Sequence, residues 1–170
     1  MKTKFLYILF ALIVLIISSC DNIINDNSDI SGKLKKYSEC KNNLKSTEAT
    51  NVLSNKSCVQ YHYNSSTEIL KLSHINAGFN CCPEKLYCTV TTNSDTIIIQ
   101  EYEKAALCDC NCLYDLVIEI IGITPEKYVI KFIEPYAVNS KKIIFNVDFS
   151  AIQKGSFCVI RDKYPWGIYN

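Results

Sequence analysis

From residue 56 onward, apolar and polar positions alternate with a period of two, the mark of strands with one face inward and one face wet. Val59, Tyr61 and Tyr63 alternate with Gln60 and His62; Leu70 and Leu72 alternate with Lys71 and Ser73; Leu86, Cys88 and Val90 alternate with Tyr87, Thr89 and Thr91. Asn64-Ser65-Ser66 and Asn93-Ser94-Asp95 fall between such runs and supply turn chemistry. The first two and the second two strands are therefore expected as hairpins or near neighbours. Residues 96–100 form a short apolar run, 113–123 the longest one, and 143–149 the cleanest alternation, with a last strand over 155–161. About eight short strands, with no long amphipathic helix after residue 55, predict an all-β antiparallel β-sandwich. A small closed β-barrel is the alternative.

The N-terminus follows a different pattern. Lys2 and Lys4 precede an uncharged apolar run over residues 5–17, which at 13 residues falls short of the about 20 needed to span a bilayer. That makes it the core of a signal peptide. The run ends in Ile17-Ser18-Ser19-Cys20, which resembles the lipobox of bacterial lipoproteins. The resemblance implies cleavage before Cys20, acylation of its sulfur and anchorage to the lipid bilayer of a cell envelope, with membrane and leaflet left open. Asp21 resembles the inner-membrane retention signal of some bacteria. Residues 1–19 are thus expected as signal peptide, 20–55 as lipidated cysteine plus polar tether, and 56–170 as the sandwich. Asp, Asn, Ser and Lys dominate 21–36, a composition that buries too little surface to order itself. Leu34, Tyr37, Leu44, Val52 and Leu53 admit a short helix over 37–55.

Charge excludes one class of partner. The chain of 170 residues carries 18 basic and 17 acidic side chains, and two of the basic ones lie in the signal peptide. No field remains to gather nucleic acid.

Ten cysteines give the chain its most distinctive chemistry. Besides Cys20 there are Cys40, Cys58, Cys81, Cys82, Cys88, Cys108, Cys110, Cys112 and Cys158, and an exported domain gains about 2–4 kcal/mol from each disulfide. Disulfides are the expected fate, and the odd number of nine leaves at least one thiol out. On an extended strand Cys108, Cys110 and Cys112 share a face with neighbours about 6.6 Å apart, at the limit of a disulfide's reach. They are therefore expected to bond outward, with sulfurs on the core parity of Leu116, Ile118 and Ile120. The simplest scheme stitches them to Cys81, Cys82 and Cys88 and leaves Cys40, Cys58 and Cys158 one further pair. A disulfide at Cys40 would pin its polar segment to the domain.

The sharper alternative is a Cu(I) or Zn²⁺ site on Cys82, Cys108, Cys110 and Cys112, or a redox pair at Cys81-Cys82 before Pro83. The alternate spacing disfavours the metal, and no base or helix is placed to activate the pair, so no metal ligand and no cofactor are assigned. Of the two histidines, His62 lies on the wet side of its strand, and His74 shares the parity of Leu70 and Leu72 as a hydrogen-bonded core residue. No catalytic motif is present; Asp109, Asp115, Glu119 and Asp148 read as solvated or turn carboxylates, and no catalytic residue is assigned. Tyr61, Tyr63, Tyr87, Tyr102, Tyr136, Tyr164 and Trp166 offer a face for a protein or glycan.

Two further likenesses bear on fold class. Ile121-Gly122-Ile123-Thr124-Pro125-Glu126-Lys127-Tyr128 resembles the Gly-x-Tyr turn-and-strand element of extracellular bacterial sandwich domains, with 113–123 expected to turn back into 129–133 as a hairpin. His74-Ile75-Asn76-Ala77-Gly78-Phe79-Asn80-Cys81-Cys82-Pro83 and Cys110-Asn111-Cys112-Leu113-Tyr114-Asp115-Leu116 resemble a set of small, uncharacterised secreted bacterial proteins. The expected function is that of a membrane-anchored envelope lipoprotein acting as a non-enzymatic binding or structural module. A thiol-based metal-binding or redox protein is the alternative.

Overall fold

The alternation becomes nine strands in a computed structural model that describes residues 30–41 and 52–162. The N-terminal run read as a signal peptide, Cys20, Tyr164 and Trp166 lie outside the described residues. One sheet holds β1 (Ser31–Tyr37), β6 (Asn111–Ile121), β3 (Ile69–Asn80), β2 (Lys56–Asn64) and β9 (Lys154–Ile160), side by side in that order. The other holds β4 (Pro83–Asn93), β5 (Thr96–Ala106), β7 (Lys127–Ile133) and β8 (Ile144–Asp148). The two pack face to face as a sandwich and do not close into a barrel.

The two expected hairpins form, β2 with β3 and β4 with β5. Three expectations need correction. The sandwich begins at Ser31, inside the stretch read as tether, because β1 is an edge strand held by its backbone pairing with β6. Its sequence, Ser-Gly-Lys-Leu-Lys-Lys-Tyr, sends only Leu34 toward the core, and lysines on the free edge discourage pairing with another chain. Gly32 faces β4 so closely that a Cβ there would stand 2.7 Å from Val90 Cγ2. Of the short helix expected over 37–55, residues 42–51 lie outside the described residues, and 37 ends β1.

The expected hairpin of β6 with β7 does not form. Gly122, at φ 80°, ends β6, and the amide of the buried Ile123 donates to the Glu68 carbonyl as the chain crosses to the opposite sheet. There β7 lies parallel to β5, so the sandwich is not wholly antiparallel. Alternation reports which face of a strand is buried. It does not report which sheet the strand joins.

Among the described residues the interior has two large apolar parts and a small third contact of Leu113 with Ala137. The larger gathers Val59, Leu70, Leu72, Ile97, Ile99, Ile118, Ile120, Ile130 and Phe132 with the aromatic residues Tyr63, Phe145 and Phe149. Burial of each large aliphatic or aromatic side chain contributes about 1.5–3 kcal/mol. The smaller holds Ala77, Phe79, Leu86, Cys112, Tyr114 and Leu116. A β-bulge between His74 and Ala77 separates them on β3, with Asn76 in the left-handed region at φ 61°. One extra residue moves the inward parity of β3 from Leu70, Leu72 and His74 to Ala77 and Phe79. The Asn76 amide group donates to the carbonyls of Leu53 and Lys56, and its backbone N–H to Asp115, which holds the kink in place.

Candidate functional site

At the junction of the two apolar parts the sandwich encloses a cluster of ionisable groups. His74 stands one step beyond Leu72 on β3, Glu101 one step beyond Ile99 on β5, Glu134 one step beyond Phe132 after β7, and Arg161 one step beyond Val159 after β9. Each continues the inward parity of its strand by one residue. The five-stranded sheet supplies the two cations and Ser57, and the four-stranded sheet supplies both carboxylates.

Arg161 Nη2 donates to both oxygens of Glu134, at 2.7 and 2.6 Å, and Nη1 donates to the Lys141 carbonyl at 2.7 Å. His74 Nδ1 lies 2.7 Å from Glu101 Oε1, and Nε2 lies 2.8 Å from Ser57 Oγ and 3.7 Å from Glu134 Oε1. Ser57 and His74 have 0 % exposure and Glu101 has 2 %. Among the described residues Glu101 Oε2 has no hydrogen-bond partner.

Burial disfavours the imidazolium of His74, but the charge of Glu101, its hydrogen bond and the charge of Glu134 outweigh that and raise the His74 pKa above its ordinary value. Burial raises the Glu101 carboxyl as well, against the charge and hydrogen bond of His74. With His74 protonated the quartet is neutral, two cations against two carboxylates, which is how buried charge is tolerated.

Ser57, His74 and Glu101 repeat the order of contacts of a serine-hydrolase triad, a constellation that sequence reading does not find. Two features oppose its chemistry. A triad histidine must be neutral to take the serine proton, whereas the two carboxylates here favour the imidazolium form of His74. The hydroxyl is also sealed from any acyl group. His74, Glu101 and Glu134 further place ligand atoms within 4.8 Å of one another, as a cation site would. The Arg161 fork already neutralises Glu134, so a divalent ion would have to settle beside a guanidinium. The arrangement suits an ionic lock between the sheets.

The second concentration of chemistry is the cysteine corner. Cys81 is bonded to Cys110 and Cys82 to Cys108, as the stitch between the two groups expects, with Cα separations of 5.5 and 5.7 Å. Cys58 bonds Cys158 directly across β2 and β9. Cys112 pairs with Cys40 and not with Cys88, which pins the segment after β1 to β6. Cys108 and Cys110 precede β6 and are exposed, so of the three alternate cysteines Cys112 alone points into the core. Extended geometry was the wrong premise, because the strand starts at Asn111.

Among the described residues Cys88 is the free thiol. It stands opposite Glu101 in the β4–β5 pairing. Burial, then the Glu101 charge, push its pKa up to about 11 against a hydrogen bond with the Leu34 backbone. A thiol so protonated is a poor nucleophile.

The remaining candidates divide between surface and core. His62 is exposed, as its parity expects. The carboxylates read as solvated have local partners: Glu119 pairs with Lys35 at 3.1 Å, Asp115 pairs with Lys41, and the Ser150 hydroxyl bonds Asp148 and holds its pKa below the ordinary value. Tyr63 is buried and donates to the Ile123 carbonyl, and Tyr136 donates to Glu103. Tyr61 packs half-buried against Phe145. Tyr87 and Tyr102 stack at 5.0 Å, with 11° between ring planes, on the outer face of the four-stranded sheet. Tyr87 is 39 % exposed there. Comparison of the chain with models of known protein families, with curated proteins and with solved structures gives no match.

Proposed function

We propose that the chain is a lipid-anchored lipoprotein of the bacterial cell envelope, with its sandwich as a non-enzymatic binding module for a protein or glycan. Acylated Cys20 is the anchor. Lys2, Lys4, the apolar run and Ile17-Ser18-Ser19-Cys20 support that part, and the four disulfides among the described residues suit an oxidising compartment.

The observation that carries the binding part is the outward-facing stack of exposed Tyr87 on half-buried Tyr102. Thr89 and Gln100 pair beside it and Ile133 lies next to Gln100 on the same outer face, so flat aromatic area adjoins polar donors and acceptors. That combination fits a sugar ring or a protein hot spot. Palmitate labelling tests the anchor, with loss of label expected in Cys20→Ala. Capture by immobilised polysaccharides and extracellular proteins tests the face, with Tyr87→Ala/Tyr102→Ala expected to weaken binding at least tenfold at unchanged secondary structure. Equal capture by the double variant would sink the binding part alone.

A further inference from the structure

The cysteine corner carries a second chemistry, separate from the tyrosine face. We propose that Cys81, Cys82, Cys108 and Cys110, once reduced, form a tetrathiolate site for Zn²⁺.

The sulfurs of Cys81, Cys82 and Cys108 all lie within 4.8 Å of one another, and that of Cys110 is bonded to Cys81. A tetrahedral zinc–thiolate site with bonds of about 2.3 Å needs sulfurs about 3.8 Å apart. Side-chain rotation from the bonded positions supplies that spacing with little movement of the backbone. The backbone is held independently of the disulfides. The Asn80 side chain donates to the Cys108 carbonyl and accepts from the Cys82 and Cys108 amides, at 3.1 and 3.4 Å for the latter two. The Cys81 amide donates to the Cys110 carbonyl at 3.0 Å, and the Tyr114 hydroxyl reaches the carbonyls of Asn80 and Cys81. Cutting both disulfides therefore leaves the thiols of Cys81, Cys82 and Cys108 grouped together, with that of Cys110 beside Cys81.

Access favours reduction at this corner. Cys108 and Cys110 are exposed and Cys81 and Cys82 half-buried, beside an open depression of about 330 Å³ lined by Tyr37, Cys40, Cys81, Cys82 and Tyr114. In each of the other two disulfides one sulfur is sealed, Cys58 at 2 % and Cys112 at 1 % exposure, although its partner is open, Cys158 exposed and Cys40 half-buried. The reductant is a dithiol. Each of two dithiols passes two electrons and two protons to one disulfide and is itself oxidised to a disulfide. The four thiols then lose four protons as Zn²⁺ binds.

The test uses the full chain, reduced by a dithiol, freed of reductant without air and loaded with Zn²⁺ or with Co²⁺ as a spectroscopic stand-in. The expected result is one metal per chain, with the visible bands of tetrahedral cobalt thiolate. Uptake should be kept in Cys88→Ser and lost in Cys82→Ser/Cys108→Ser. If reduction alone removes the β-sheet circular dichroism and Zn²⁺ restores it, the site is supported by coupled folding. Loss without recovery, no uptake by a folded reduced chain, or equal uptake by the double variant would each overturn the proposal. None of these outcomes bears on the tyrosine face.

Discussion

The cysteine corner and the buried ionic quartet meet across one bulge, yet they differ in almost every physical respect. Cys81, Cys82, Cys108 and Cys110 sit at a rim, tied by covalent bonds that contribute mainly through the unfolded chain. His74, Glu101, Glu134 and Arg161 are sealed, and their contribution exists only in the folded state. Cross-links tolerate exposure; ion pairs out of water demand complete partners. Chemistry that is sealed serves architecture in this sandwich, and what is open to other molecules is the rim and the outer tyrosine face.

The sharpest way to break that contrast is to remove one member of the quartet. Arg161→Ala leaves Glu134 buried without its partner and is expected to cost about 3–5 kcal/mol in urea unfolding. The paired change Glu134→Leu/Arg161→Met should recover most of that. If Arg161→Ala alone costs less than about 1 kcal/mol, the lock is not one.

The corner is expected to weigh less than the staple at the sheet edge. Cys58–Cys158 closes a separation of 100 residues and Cys82–Cys108 one of 26. Chain entropy then gives about 4.7 against about 3.5 kcal/mol, so Cys58→Ser/Cys158→Ser should unfold at lower urea than Cys82→Ser/Cys108→Ser. The opposite order would place the greater constraint at the rim.

A smaller effect follows from pH. The folded pKa of His74 is raised above 6.5, so its contribution is fully present below that value and is lost as pH rises through the folded pKa. Glu101 acts in the same sense, since the unfolded chain ionises near 4.5 and the folded chain only at higher pH. Stability to urea should therefore decline from mildly acidic to alkaline pH, and His74→Gln should flatten the decline above 6.5. A wild-type profile with no decline would remove the imidazolium from the account. Smallest of all is Tyr87→Ala, expected to change stability by about 1 kcal/mol or less while weakening ligand capture. A large loss of stability would make that ring part of the fold.

Much of this was legible in the alternation of residues, and the failures have physical causes. Strands β2 and β4 and the first part of β3 were readable because each presents one wet face, and β5 because it opens on an apolar run; the second half of β3, buried throughout, was not. Strand β1 was hidden because an edge guarded by Lys33, Lys35 and Lys36 lacks the apolar period. The passage from β6 to β7 was misread because parity does not encode sheet membership. Spacing led to the expected stitch between the two corner groups, though not to the individual partners Cys81–Cys110 and Cys82–Cys108. The Cys40–Cys112 bond did not follow from it, because it depends on where β1 lies. His74 was readable as a core histidine, but its partners were overlooked although the signal was present. Glu101 extends Ile97 and Ile99, Glu134 extends Ile130 and Phe132, and Arg161 follows Phe157 and Val159 at the same step of two. A charge on core parity at the end of several strands is a request for partners.

The protonation of His74 separates a lock from a latent triad most directly. Nitrogen-15 NMR of the imidazole, followed through a pH titration of the folded chain, reads both ring nitrogens. The account predicts that at pH 6.5, the ordinary midpoint, the ring is predominantly imidazolium, with both nitrogens protonated toward Glu101 and Ser57. A neutral ring at that pH, with Nε2 accepting from the Ser57 hydroxyl, would contradict it and restore the serine as a candidate nucleophile.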